Sequence, residues 1–223
     1  MRANPVAKFH AHDRKADMKK LLMAMLGLTI LTGCTSEPAK PVQTEKKQPK
    51  ATEAVTGRAA FQKLYISARN WARDAQPYRL ESQITDDWKG KDGKSAVWRA
   101  YFASPNQHGV KPFIWSGSQA PDAPSPGITP GNEDTYSPTN SSTHVFDNAF
   151  LKVDSDKALE AAQKHGGDKI LQKTPDTPIL YVLSWSGVTN ELIWHIMYGT
   201  SPEDAKLRVA VNASDGEFLR VEK

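Results

Sequence analysis

One pattern limits the fold more than any other: a tryptophan-centred apolar stretch occurs twice. Trp98, Phe102 and Ala103 are matched by Trp194, Tyr198 and Gly199, an offset of 194 − 98 = 96 residues, and a proline follows each stretch, Pro105 and Pro202. Applied to Phe61, which lies in one helical pattern, the same offset lands on Lys157, which lies in another. Self-similarity at a fixed spacing is the mark of a duplicated supersecondary element, so the chain reads as two copies of one α-then-β unit. The Trp-Ser-Gly tripeptides at Trp115 and Trp185 do not keep the offset and are set aside.

In the first copy Phe61, Leu64, Tyr65, Ala68, Trp71, Ala72 and Ala75 recur at steps of three and four. That spacing predicts an amphipathic helix over residues 59–76, stopped by Pro77. Strands are predicted over residues 78–84, 96–103 and 110–115, the first two separated by a turn-rich segment containing Asp92-Gly93. In the second copy Asp154 or Ser155 can cap a helix with Asp156 in its first turn and Gly166-Gly167 as its stop. Strands follow over residues 179–185, 192–198, 207–212 and 218–221, and Ser214-Asp215-Gly216 supplies a hairpin turn between the last two.

Between the copies, residues 116–143 mix Pro121, Pro124, Pro126, Pro130 and Pro138 with Gly117, Gly127 and Gly131. The stretch is too long for an ordinary loop and reads as a connector, with a functional surface loop as the other option. Tryptophans 71, 88, 98, 115, 185 and 194 can fill two small cores. Units of about 60 residues bury little surface alone, so the halves are expected to pack together.

The front of the chain sets location. Lys19 and Lys20 precede an apolar run, residues 21–30, and then Leu31-Thr32-Gly33-Cys34. This is the layout of an export signal. The apolar run falls short of the roughly 20 residues a membrane-spanning helix needs. Its exit resembles the lipobox of bacterial lipoproteins. The resemblance implies cleavage before Cys34 and attachment of lipid to its sulfur, and two or three acyl chains anchor a protein stably where one does not. Met18 is the expected start of translation, and Thr35, in the place where an Asp retains lipoproteins at the inner membrane, points to the outer membrane facing the periplasm.

Removing the leader changes the electrostatics. The whole chain carries 29 Lys and Arg against 25 Asp and Glu, but residues 1–33 hold the excess and leave 23 of each sign on a mature chain of 223 − 33 = 190 residues. A basic chain would invite nucleic-acid binding; a neutral one without a basic stripe does not, and none is expected. Cys34 is the only cysteine, so no intramolecular disulfide can form. Residues 35–56, with Pro38, Pro41 and Pro49, alternating charges and no apolar periodicity, read as a flexible tether with an r.m.s. reach of roughly 25 Å.

Residues 154–223, with SDKALEAAQKHGG, a set of strands and then RVAVNASDGEFLRVE, resemble PepSY-like domains, although Asn212 stands where that family commonly has Asp. The resemblance implies a cystatin-like fold, one helix packed on a curved antiparallel sheet, no shared catalytic residues, and a role in binding or restraining other proteins, peptidases among them. The resulting organisation is α+β: preface and signal peptide at 1–33, lipidated Cys34 and tether at 34–56, a degenerate PepSY-like unit at 57–118, the connector at 119–153 and a PepSY-like unit at 154–223.

Catalytic and metal patterns were sought in the mature chain. His108, His144, His165 and His195 are not paired at ligand spacing, and neither an H-E-x-x-H motif nor a cysteine pair is present. Ser116-Gly117 and Ser186-Gly187 lack the G-x-S-x-G elbow, and Gly166-Gly167 lacks the rest of a phosphate loop. The carboxylate pairs Asp86-Asp87 and Glu203-Asp204 could hold a cation but sit in polar turns. His195, beside Trp194, reads as a satisfied core or sheet-face histidine. No cofactor is expected other than the lipid on Cys34. The favoured function is a membrane-anchored, non-catalytic protein binder. The competing classes are a structural envelope component and a small-ligand binder or hydrolase using His195 with a carboxylate such as Glu191.

Overall fold

Period-two alternation builds one sheet from both halves of the chain. A computed structural model describes residues 50–222; the leader, the expected lipid site at Cys34 and the tether up to residue 49 lie outside the described residues. The elements are β1 (Val55–Thr56), α1 (Gly57–Trp71), β2 (Gln76–Gln83), β3 (Lys94–Ser95), β4 (Val97–Ser104), β5 (Gly109–Ser116), β6 (Gly127–Pro130) and β7 (Asp134–Thr135). They continue with α2 (Ser155–Ala162), α3 (Asp168–Lys173), β8 (Ile179–Ser186), β9 (Glu191–Tyr198), β10 (Leu207–Asn212) and β11 (Phe218–Glu222). The architecture is α+β, a nine-stranded antiparallel sheet with one main helix, α1.

The strand order is β11-β10-β9-β8-β2-β4-β5-β6, with β7 also pairing β5. Each half enters the sheet by the first long strand after its helix, and these two strands, β2 and β8, pair antiparallel at Arg79–Ser184, Leu80–Leu183 and Glu81–Val182. The halves therefore share a ladder. The interior is likewise one cluster rather than two: Leu64, Phe102 and Trp98 from the first half pack continuously with Tyr181, Trp194 and Tyr198 from the second. Trp98 and Trp194 meet edge to face with ring centroids 6.4 Å apart, a favoured aromatic geometry.

Helix α1 starts without a cap from its own sequence, since the Thr56 side chain makes no capping bond. The other half supplies it. Ser155 Oγ accepts from Gly57 N at 2.8 Å, and Asp154 Oδ1 accepts from Arg58 N at 2.8 Å. Asp154 Oδ1 also accepts from Ser155 N at 2.7 Å, so one carboxylate caps both helices. Side-chain oxygens at these positions satisfy amides that a helix leaves open at its N-terminus. At its other end α1 stops at Trp71, earlier than its apolar spacing suggests, and Ala72 and Ala75 are buried in the extended chain leading to β2.

The Gly166-Gly167 pair breaks the second helix as expected: Gly166 sits at φ 118°, outside helical geometry, and the chain turns there before a separate short helix, α3, begins at Asp168. Residues 119–153 do more than connect, because β6 and β7 lie in or beside this stretch and both pair with β5. Residues 53–56, expected to belong to the tether, are paired with the folded part. Glu53 N donates to Gly117 O at 2.9 Å, and Val55–Thr56 pairs with Lys94–Ser95.

Candidate functional site

Alternation that sends Trp194 inward turns its neighbour His195 to the sheet face opposite the helices. There His195 joins a chain of polar groups. Its Nδ1 lies 2.8 Å from Glu222 Oε2, its Nε2 lies 3.4 Å from Ser184 Oγ, and Arg220 Nη2 donates to Glu222 Oε1 at 2.9 Å. The His195 and Glu222 side chains are 23% and 19% exposed, reachable from solvent but largely desolvated. The hydrogen bond from His195 holds the Glu222 carboxyl below its ordinary range, helped by Arg220 and opposed by burial.

A carboxylate on Nδ1 has a consequence for the ring. Glu222 accepts a hydrogen bond from Nδ1–H, which in a neutral ring leaves the lone pair on Nε2 facing the Ser184 hydroxyl. Arg79 of β2 is the residue directly opposite Ser184 in register, and its Nε donates to Glu81 Oε2 at 2.7 Å. A second polar cluster occupies the same face on the first half, where Tyr101 donates its hydroxyl to Glu81 Oε1 at 2.7 Å and Arg99 Nη1 lies 3.9 Å from the same oxygen. Burial raises the Tyr101 hydroxyl pKa and pushes that of nearby Tyr78 up to about 12.

Glu191 is not the partner of His195. It accepts from Asn212 Nδ2 at 3.1 Å, at the far end of β9, while the carboxylate that reaches His195 comes from the last strand. Proximity in sequence favoured Glu191; the sheet order selects Glu222, two strands away across β10. Ser184 and Arg220 were not singled out by the sequence either. The usable clue was that residues 220 and 222 alternate in phase with the His195 side of β10 and β9, and it becomes readable only once pairing is known.

The other candidates are dispersed. His165 stacks on Phe218 with centroids 3.7 Å apart, His144 lies beside Gly187, and His108 sits in the turn before β5 at φ 51°. Among the described residues no group of three or more His, Cys, Asp or Glu side chains could hold a metal ion. Asp87 accepts from Thr52 Oγ1, from Thr85 Oγ1 and Ser118 Oγ at 2.7 Å each, and from Gln119 N at 3.0 Å. Burial acts to raise its pKa, and these four donors outweigh burial and lower it. Asp204 organises the loop after β9, where the Thr200 hydroxyl and the Ser201 amide hold its pKa down to about 2. Both acids are turn-builders. Ser116 donates to Pro124 O at 2.7 Å and Ser186 accepts from Thr189 N at 3.3 Å, so these serines brace loops.

The largest cleft described, about 610 Å³, opens beside the helix starts and is lined by Arg58, Lys152, Asp154, Lys157, His165 and Phe218 among others. A second, of about 370 Å³, lies between the end of α1 and residues 145–148. Neither reaches Ser184 or His195. No described helix is long and apolar enough to cross a membrane. Comparison of the chain with known protein families, with curated proteins and with solved structures finds no match.

Proposed function

We propose that this chain is a lipid-anchored protein of the bacterial cell envelope, made of two PepSY-like units, that binds another protein, a peptidase being the first class to examine. The observation that carries the two-unit reading is a matched pair of part-buried bonds. Trp98 Nε1 donates to Val55 O at 3.0 Å and Trp194 Nε1 donates to Val153 O at 2.9 Å. Each carbonyl belongs to the residue two places before the first residue of a helix, Gly57 in one half and Ser155 in the other. A shared bond between a buried indole and a helix approach is a construction detail that chance resemblance of patterns does not explain.

On this reading each unit contributes a helix and antiparallel strands, which fits the cystatin-like plan that the PepSY resemblance implies. Binding needs surface rather than a deep pocket, and the sheet face opposite the helices supplies it. The anchor follows from the lipobox resemblance at residues 31–34, and Thr35, in place of a retaining Asp, favours the outer membrane, facing the periplasm. Crosslinking in native envelopes followed by mass spectrometry tests the binding role: a reproducible protein partner is the expected result, and its absence across independent preparations would count against the proposal. Radiolabelled fatty acid tests the anchor. Wild-type chain should incorporate label and Cys34→Ser should not; label retained in the variant would remove Cys34 from the account.

A further inference from the structure

We propose that Ser184, half-buried on the sheet face opposite the helices, is a base-activated nucleophile, with His195 as its base, Glu222 as the group that positions His195, and carboxylic esters as the substrate class. This goes beyond the binding role. The geometry is the argument. Ser184 on β8 faces Ile193 on β9 in register, so His195 sits diagonally across on the same face, within reach of a long side chain. Glu222 fixes the imidazole tautomer, and Nε2 at 3.4 Å is the only hydrogen-bond partner of Ser184 Oγ among the described residues. Hydrogen bonds of this kind are often long without substrate and shorten around it.

A nucleophile also needs a place for the charge that develops on the attacked oxygen. Backbone amides in mid-sheet are committed to the ladder, so a side chain must serve. Arg79 stands opposite Ser184, and of its guanidinium nitrogens only Nε has a partner among the described residues, on Glu81. Its terminal nitrogens are therefore the donors on offer. Because the clefts described above lie elsewhere, the ester must be presented to the half-buried Ser184 from the sheet face, beside the buried Ile193 and Val182, rather than swallowed.

The step balances without any further reactant but water. Ser184 Oγ attacks the ester carbonyl carbon as its proton passes to His195 Nε2; the carbon–oxygen bond to the alcohol breaks and the alcohol leaves with that proton. Water then attacks the acyl carbon, gives a proton to Nε2, and the bond to Ser184 Oγ breaks as the serine is reprotonated, releasing a carboxylic acid.

The test uses the full chain and a biotin-tagged fluorophosphonate, with which Ser184 Oγ displaces fluoride from phosphorus. Peptide mapping of the unaltered, native chain should place the adduct on Ser184, with none there after denaturation. His195→Gln and His195→Asn should each slow labelling at least about 100-fold, the scale of general-base assistance. With p-nitrophenyl acetate, Glu222→Gln should lower kcat while leaving KM unchanged, a split that mere loosening of the strand would not give. The proposal is overturned if native chain carries no adduct at Ser184, or if either folded His195 variant is labelled at the wild-type rate.

Discussion

Replacing Gly57 by alanine sets two effects of opposite sign against each other. A glycine-to-alanine change in a helix ordinarily stabilises a protein by about 0.4–1 kcal/mol, because the unfolded chain has less freedom to lose. At Gly57 the added methyl carbon would lie 2.6 Å from Trp194 Cη2 and 3.0 Å from Trp98 Cη2. Neither ring can yield, since both are 0% exposed and each is tied by its indole N–H to a backbone carbonyl. Overfilling a packed core costs about 1–3 kcal/mol, so the overlap wins. Gly57→Ala should lower stability by roughly 1–2 kcal/mol, or a few degrees in Tm for a domain of this size. Urea unfolding followed by tryptophan fluorescence measures it. The same change in a Trp194→Phe background should cost less, because phenylalanine lacks the overlapping atom, with a coupling of about 0.5–3 kcal/mol expected for side chains in contact. A stability at or above wild type, or a cost unchanged beside Phe, would refute the packing argument.

Ser155→Ala should cost about 2–4 kcal/mol, since it strands two buried groups at once, Gly57 N at 2.8 Å and Gly93 O at 2.5 Å; a midpoint within error of wild type in the same urea assay would show that the two halves do not depend on that hydroxyl. Glu222 has a lowered pKa in the fold, so its carboxylate stabilises the folded state fully above its ordinary value, about 4.3, and loses that contribution as pH falls through the lower, folded value. Urea midpoints of wild type and Glu222→Gln, taken from pH 7 to pH 3, should therefore converge at the acid end, and a constant gap would contradict the assignment.

Much of the fold was legible because alternation and helical spacing are local. The long strands fall within a few residues of the runs that predict them, and Asp154 caps α2 as its position suggests. What remained hidden depended on pairing. Nothing local marks how α1 is capped: its open amides are satisfied by Asp154 and Ser155, far along the chain. Strands β6 and β7 are short and surrounded by proline and glycine, so composition hides them although β5 pairs with both. At the site, His195 was readable as a sheet-face residue with satisfied nitrogens, whereas its carboxylate was assigned to the nearer Glu191 because nothing local marks Glu222 as a neighbour.

On the two-unit reading the halves agree inside and differ outside. Leu80 and Leu183 face each other across the central β2–β8 pair, and Trp98 and Trp194 repeat the same bond to the chain entering a helix. The interior is constrained by volume, and substitutions there are felt even at one methylene. The outer face mixes a smaller apolar cluster, Leu180, Val182 and Met197, with polar side chains. Beside Leu80 stands Glu81, and beside Leu183 stands Ser184; the residue after Trp98 is Arg99, and the residue after Trp194 is His195. By register Glu81 stands opposite Arg99 and pairs with it, whereas Val182 stands opposite His195 and the Ser184 hydroxyl faces the imidazole from the diagonal place. A salt-bridged pair can only brace the sheet, whereas a serine beside a histidine held by Glu222 can accept and pass a proton. The side chains that distinguish the two halves most plainly lie on the face opposite the helices.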